Sequence, residues 1–352
     1  MWLLITTSNS LLIPLSQTAI AAGSRQDSWL AEILSLAIQL VMLQMILKFS
    51  LLSKDMEFSS RIKKICGRIV GSIVIVLYIW FFVFSSAAFL KELTSFAVAM
   101  IYVQTPSVVI DLMIILTSCY MAFHGLEVQA RTNEIILPTI ISLYLIGLFL
   151  LLPNVKLDNF KPVLENGLTP VIKGAFISSS SFVFTVFVPV VLSYVNKPEE
   201  CQKTLTIGSI IQGFLLIIAT AIITGVLGPN LAQVTIYRGY IALRYISYGN
   251  FVEHLDPIGF SIFVLSKVVQ ISLFIYAASL ISAQFLAIKS YKPLIFPTGF
   301  IILLLSNIFK NVSQLNRFFI TLWPLHNFFF EMVIPLFLWI LILFGGRERN
   351  LE

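Results

Sequence analysis

Four consecutive serines, Ser178 to Ser181, lie in the stretch KGAFISSSSFVFT at residues 173–185, which is otherwise apolar enough for the middle of a bilayer. Hydroxyls gain nothing from lipid tails. They have to bond back to their own helix, pack closely against a neighbouring one, or face a wet pocket that holds a ligand. A second polar group sits in LSKVVQIS, where Lys267 and Gln270 are three apart and share a helical face. A charge within an apolar span is costly and invites a functional reading. Lys267 therefore either lines a binding site or neutralises a carboxylate such as Asp111. Lys173, a turn before the serines, poses the same choice, while Glu331 reads as an anchor between helices. Tyr78 and Phe82, four apart, either wall a small apolar side chain or pack as an ordinary helical pair.

The chemistry these residues exclude is as informative. The chain has no glycine-rich phosphate loop, no nucleophile elbow and no metal-ligand cluster, so neither an enzyme nor a cofactor site is expected. His124, His254 and His326 stand far apart. Cys66, Cys119 and Cys201 show no ligand or disulfide spacing and read as free thiols. Glu127 and Arg131 are placed for a helical ion pair on a cytoplasmic surface.

The elements that must position these groups are membrane spans. Of 352 residues, 58% are hydrophobic and 11% are charged, against about 25% charged in soluble domains. Apolar runs long enough to cross a hydrocarbon core of about 30 Å recur along the whole chain. Ten can be marked, at about 2–22, 29–50, 67–89, 106–123, 134–152, 169–195, 204–227, 259–282, 293–309 and 322–346. The result is one polytopic domain with no separate soluble part. The N-terminal segment ends in an Ala19-Ile20-Ala21 like that of a signal peptide. It lacks a basic start and is broken by a polar patch and Pro14, so it reads as an imperfect first span. With both termini cytoplasmic, 13 Lys and Arg fall inside and 8 outside, with Lys173 and Lys267 in spans; this bias orients the chain. The net charge of +6 thus reflects lipid and topology, not nucleic acid.

Spans one and six are both interrupted, by Thr6-Thr7-Ser8-Asn9-Ser10 before Pro14 and by Ser178–Ser181. Paired breaks at corresponding positions of two halves point to an inverted-repeat transporter fold with its site at mid-membrane. Unwound backbone persists there only if protein or a wet cavity satisfies it. The amides of a half-helix N-terminus would suit a carboxylate. The expected fold is all-α, a ten-helix LeuT-like 5+5 inverted repeat broken in helices one and six. Its repeats span about 1–152 and 169–346. The expected ligand residues are Ser8, Asn9, Ser10, Tyr78, Phe82, Gly174, Ser178, Ser179, Ser180, Ser181, Lys267 and Gln270.

Five further stretches carry a family likeness: SRQDSWL at 24–30, CYMAFHGLEVQARTNEIILP at 119–138, LDNFKPVLENGLTPVIKGAF at 157–176, FVEHLD at 251–256 and ISLFIYAASL at 271–280. From about residue 11 onward the chain resembles the B subunit family of bacterial spore-germinant receptors, within the amino acid–polyamine–organocation superfamily. HGLE-x-x-AR-x-NE is the most specific part. The resemblance implies a LeuT-like subunit in the inner spore membrane that binds a small germinant such as an amino acid. It also implies two partners, a membrane A subunit and a lipoprotein C subunit. The alternative function is a proton-coupled amino acid or polyamine transporter, and a third reading is a structural subunit with an empty pocket. In that family the first helix starts earlier and has glycine at its break. Here about five residues precede the polar patch and Thr7-Ser8-Asn9-Ser10 has no glycine, so either a shortened first helix or an internal start is expected.

Overall fold

The computed structural model describes residues 23–51, 56–180, 183–195, 197–244, 247–248, 252–253 and 256–345. The expected span at 2–22 and the connector tip 52–55 lie outside these. The described chain is helical apart from a two-residue antiparallel ladder, β1 (Ser247–Tyr248) with β2 (Val252–Glu253). After a short turn at Arg25–Asp27 come α1 (Ser28–Leu51), α2 (Phe58–Cys66), α3 (Arg68–Met100), α4 (Ser107–Phe123) and α5 (Gly125–Leu151). The second half holds α6 (Thr169–Ser179), α7 (Val188–Val191), α8 (Pro198–Leu227), α9 (Pro229–Val234), α10 (Arg238–Arg244), α11 (Asp256–Phe285), α12 (Lys292–Ser306), α13 (Val312–Thr321), α14 (Trp323–Phe328) and α15 (Ile334–Gly345).

Among the described residues, seven stretches are long and apolar enough to cross a membrane, and α4 and α12 are shorter apolar helices. The chain is a multi-pass integral membrane protein. Its helices overrun the expected spans where polar residues end an apolar run without ending the helix. The run of α3 stops near residue 89, but the helix continues through Lys91 and Glu92 to Met100. The loop expected around HGLE is mostly the start of α5. Gly125 makes the corner with α4 at φ +88°, and a Cβ there would lie 2.9 Å from Tyr291 Oη; only glycine suits both conditions. Glu127 and Arg131 form their expected pair at 2.8 Å, exposed.

Two packed groups make up the bundle. In one, α1 lies between α6 and α8. In the other, α3 packs against α11, α12 and α4, while α11 also reaches α5. The largest core cluster runs along α3, through Tyr78, Phe81, Phe82, Phe89 and Phe96, and meets Phe187 and Phe274 from later spans. The connector α2 buries Phe58 and Ile62 and leaves Lys63 and Lys64 half-buried. It crosses α3 at Gly71, where an added Cβ would stand 2.9 Å from Lys63 Cα.

Backbone cannot move aside as a side chain can. Gly71→Ala is therefore expected to destabilise the protein by about 1–3 kcal/mol. Gly213→Ala, whose Cβ would meet only the flexible Leu36 side chain, should cost less. Thermal melts of the detergent-purified variants compare the two; equal losses would contradict this account of the α2–α3 crossing.

Candidate functional site

The sixth span is not one helix. Regular α-helix ends at Ser179, and the described chain resumes as a 3₁₀ turn at Val183–Phe187, followed by α7 and a further 3₁₀ turn at Leu192–Tyr194. A helix that stops in a bilayer leaves carbonyls without partners, and lipid supplies none. The serines supply some of them. Ser179 Oγ donates to Phe176 O at 2.8 Å and Ser180 Oγ donates to Ile177 O at 2.6 Å. The Ser180 carbonyl accepts two bonds from α14, from Trp323 Nε1 and Asn327 Nδ2, each 3.1 Å. Two carboxylates fix the flanks. Ser178 Oγ donates to Glu32 Oε2 of α1 at 2.6 Å, and Thr185 Oγ1 donates to Glu331 Oε1 at 2.5 Å.

The hydroxyls of Ser179 and Ser180 thus take the local role open to them, bonding back to their own helix. Gly174 is buried in α6, and Lys173 is exposed on it. Ser8, Asn9, Ser10, Ser181 and His254 lie outside the described residues.

Tyr78 and Phe82 have separate neighbours. Tyr78 meets Phe58 and Phe330 edge-on at 5.0 and 5.7 Å. Phe82 meets Phe187 of the sixth span and Phe274 of α11 at 6.5 and 5.1 Å, so three spans converge on its ring. Gln270 is one turn from Phe274, fully buried, and neither of its amide atoms has a partner. Such an amide costs about 1–3 kcal/mol per unsatisfied group unless something occupies it.

Lys267 is paired with a carboxylate, but that carboxylate is Glu92, at 2.8 Å. Asp111 instead accepts from Thr94 Oγ1 at 2.5 Å. The ammonium of Lys267 also lies 4.1 Å over the Phe89 ring, a favourable placement for a desolvated cation.

The family profile described as "Spore germination protein" matches residues 10–315. The chain belongs to that family. Among its relatives, spore germination protein KB of Bacillus subtilis is 25% identical over 343 residues, covering 95% of this chain and 92% of the relative. Spore germination protein XB of Bacillus anthracis is 23% identical over 257 residues, covering 72% and 71%. Spore germination protein YndE of Bacillus subtilis is 22% identical over 270 residues, covering 76% and 74%.

In this member of the family, three residues that sequence pattern does not place at the break border it, Glu32, Trp323 and Asn327, and a fourth that it misses, Glu92, pairs with Lys267 of α11. Glu32 is the fourth residue of the expected second span and reads as an interface residue, yet it is only 2% exposed. Glu92 falls beyond the expected end of span three. A signal for Glu32 was available in its i+7 spacing from Gln39, which gives two polar groups on one face of an apolar helix.

Two stability measurements check these contacts. Lys267→Met alone strands the half-buried Glu92 carboxylate and is expected to cost up to about 3 kcal/mol, whereas adding Glu92→Leu should recover most of the loss. Trp323→Phe and Asn327→Leu each leave the Ser180 carbonyl one donor. Their combination leaves it none, so a double-mutant cycle on melting should show a loss larger than the sum. Strict additivity would mean that the carbonyl finds another partner.

Proposed function

We propose that the chain is the germinant-binding B-type membrane subunit of a spore nutrient receptor, built as ten spans in a 5+5 inverted repeat, about 1–152 and 169–346. Helix pairing supports the repeat. α1 packs on α8, α3 on α11 and α4 on α12, which are spans two with seven, three with eight and four with nine. The ligand is a small amino acid or similar polar molecule, held where spans three, six and eight meet. Its polar end faces the Ser178–Ser181 break, its side chain rests on Phe82 and Phe274, and the Gln270 amide bonds it. The single observation that carries this reading is the fully buried, unpartnered Gln270 amide on the same helical face as Phe274. Tyr78 forms the outer wall through Phe330, and Lys267, neutralised by Glu92, supports the face and does not act as a free cation. The membrane is the inner membrane of the spore, and a membrane A subunit and a lipoprotein C subunit read the state of the bundle. A ligand shifts such a two-state equilibrium only by its differential affinity, about 1–3 kcal/mol in ordinary couplings.

A panel of small L-amino acids, titrated into purified full-length protein, should reveal one that raises the melting temperature saturably. At 100 times Kd the gain corresponds to about 2.7 kcal/mol. Gln270→Leu removes two unsatisfied atoms, so the unliganded protein should melt no lower than the parent while losing the ligand gain. A gain that survives this substitution, or a panel with no effect, defeats the site.

A transporter of the same fold is the second reading, favoured by Glu32 and Glu331, buried carboxylates outside every ion pair among the described residues. Accumulation of labelled amino acid by vesicles containing this chain alone would select it.

A further inference from the structure

A second polar feature lies on the side of α6 that faces α1. Ser28, Glu32, Ser35 and Gln39 form one stripe of α1, at i, i+4, i+7 and i+11, and none is more than 2% exposed. Across from them α8 presents Ser209, Gln212, Thr220 and Thr224, equally buried. Ser28 and Thr224 share a hydrogen bond of 3.1 Å, and Gln44 Nε2 donates to Thr206 Oγ1 at 2.8 Å. These two rungs set an antiparallel register that brings Glu32 opposite Thr220 and Gln39 opposite Gln212. Gly213 lets the helices approach closely, since a Cβ there would run into the Leu36 side chain. The third side is closed by α6, through the 2.6 Å bond from Ser178 to Glu32.

The unpartnered atoms along this seam are Glu32 Oε1, Ser35 Oγ, Gln39 Oε1 and Nε2, Ser209 Oγ, Gln212 Oε1 and Thr220 Oγ1. All but one are oxygens. The ion pairs among the described residues are Glu127–Arg131, Asp158–Lys161, Glu200–Lys197 and Glu92–Lys267, so no basic side chain answers Glu32. A desolvated carboxylate without a counter-charge is costly. The one thing this seam offers in quantity is hard oxygen, the donor type that suits alkali and alkaline-earth ions. A single carboxylate among neutral hydroxyls balances one positive charge, not two.

We propose that the junction of α1, α6 and α8 binds a monovalent metal cation, with Glu32 as its charged ligand and the hydroxyls of Ser35, Ser178 and Thr220 as its neutral ones. Gln39, Gln212 and Ser209 continue the polar lining toward the Gln44–Thr206 end of the seam. This site borders the proposed germinant site at Ser178, but its charged ligand Glu32 is no part of that site and its test uses no germinant, so the two readings fail separately.

The test is the melting temperature of the full-length protein in sodium, potassium or N-methylglucamine chloride at equal ionic strength and fixed pH. Sodium or potassium should raise it saturably by about 2 °C or more, and the bulky organic cation should not. Glu32→Gln should abolish the difference between salts. Thr220→Val, a nearly isosteric change that keeps the charge, should weaken the apparent cation affinity several-fold, and it serves if Glu32→Gln does not fold. Glu127→Gln, on an exposed ion pair, should leave the response intact. Identical melting in all three salts overturns the proposal, as does a cation response that persists in both seam variants. A dependence on pH alone, equal across salts, would assign Glu32 to a proton and also overturns it.

Discussion

Backbone carbonyls released in the middle of a bilayer must be satisfied by protein, and the arrangement around the sixth span is a consequence of that requirement. The carbonyls of Phe176 and Ile177 are covered by the hydroxyls three residues later, and that of Ser180 by two side chains of α14. A run of serines is thus a chemically sensible way to end a helix where water is absent. The hydroxyls are short enough to reach their own backbone and small enough to let neighbouring helices approach. Their job is first to make the break possible.

Span ten acts as a splint across that break. Trp323 and Asn327 hold the carbonyl at its first edge, and Glu331 holds Thr185 beyond it. Between them the helix passes into a π turn at Phe329–Val333. Such a turn inserts an extra residue and shifts the register of the helix beyond it, a device often found at functional sites. It allows Asn327 and Glu331, four apart in sequence, to serve the two sides of a gap. On the opposite side Ser178 ties the first half-helix to α1 through Glu32. Both halves of span six are therefore held by span ten, and the first is also tied to span two by the Ser178–Glu32 hydrogen bond.

Much of this was legible in the residues. Composition and run length gave the membrane class, and a hydroxyl run in an apolar span gave the break. Lys267 was conspicuous as a charge with no local excuse. The hidden features depended on distance in the chain. Trp323 and Asn327 are 143 and 147 residues from Ser180, and nothing in the local pattern of either residue reveals a bond across that separation. Glu92 was hidden by a boundary effect, because the apolar run of span three ends before the helix does. The partition of Tyr78 and Phe82 was hidden for a third reason. Both lie on one helical face, but α3 is crossed there by the α2 connector, which claims Tyr78 through Phe58 and leaves Phe82 to the later spans.

The same contacts connect the break to the α2 connector. Phe330, within the π turn, touches Tyr78 and Phe81 of α3 at 5.7 and 4.6 Å, and α15, which continues span ten, packs on α2. α2 carries the half-buried Lys63 and Lys64 in its last turn. Spatial continuity alone does not establish coupling; a two-state element biased by the ligand is also required. Span ten meets the structural half of that condition. It holds both edges of the break, and its bonds to the Ser180 carbonyl and to Thr185 would have to be exchanged if the half-helices change their relation. A change in the relation of the half-helices therefore bears on span ten before any loop, and through α15 on α2.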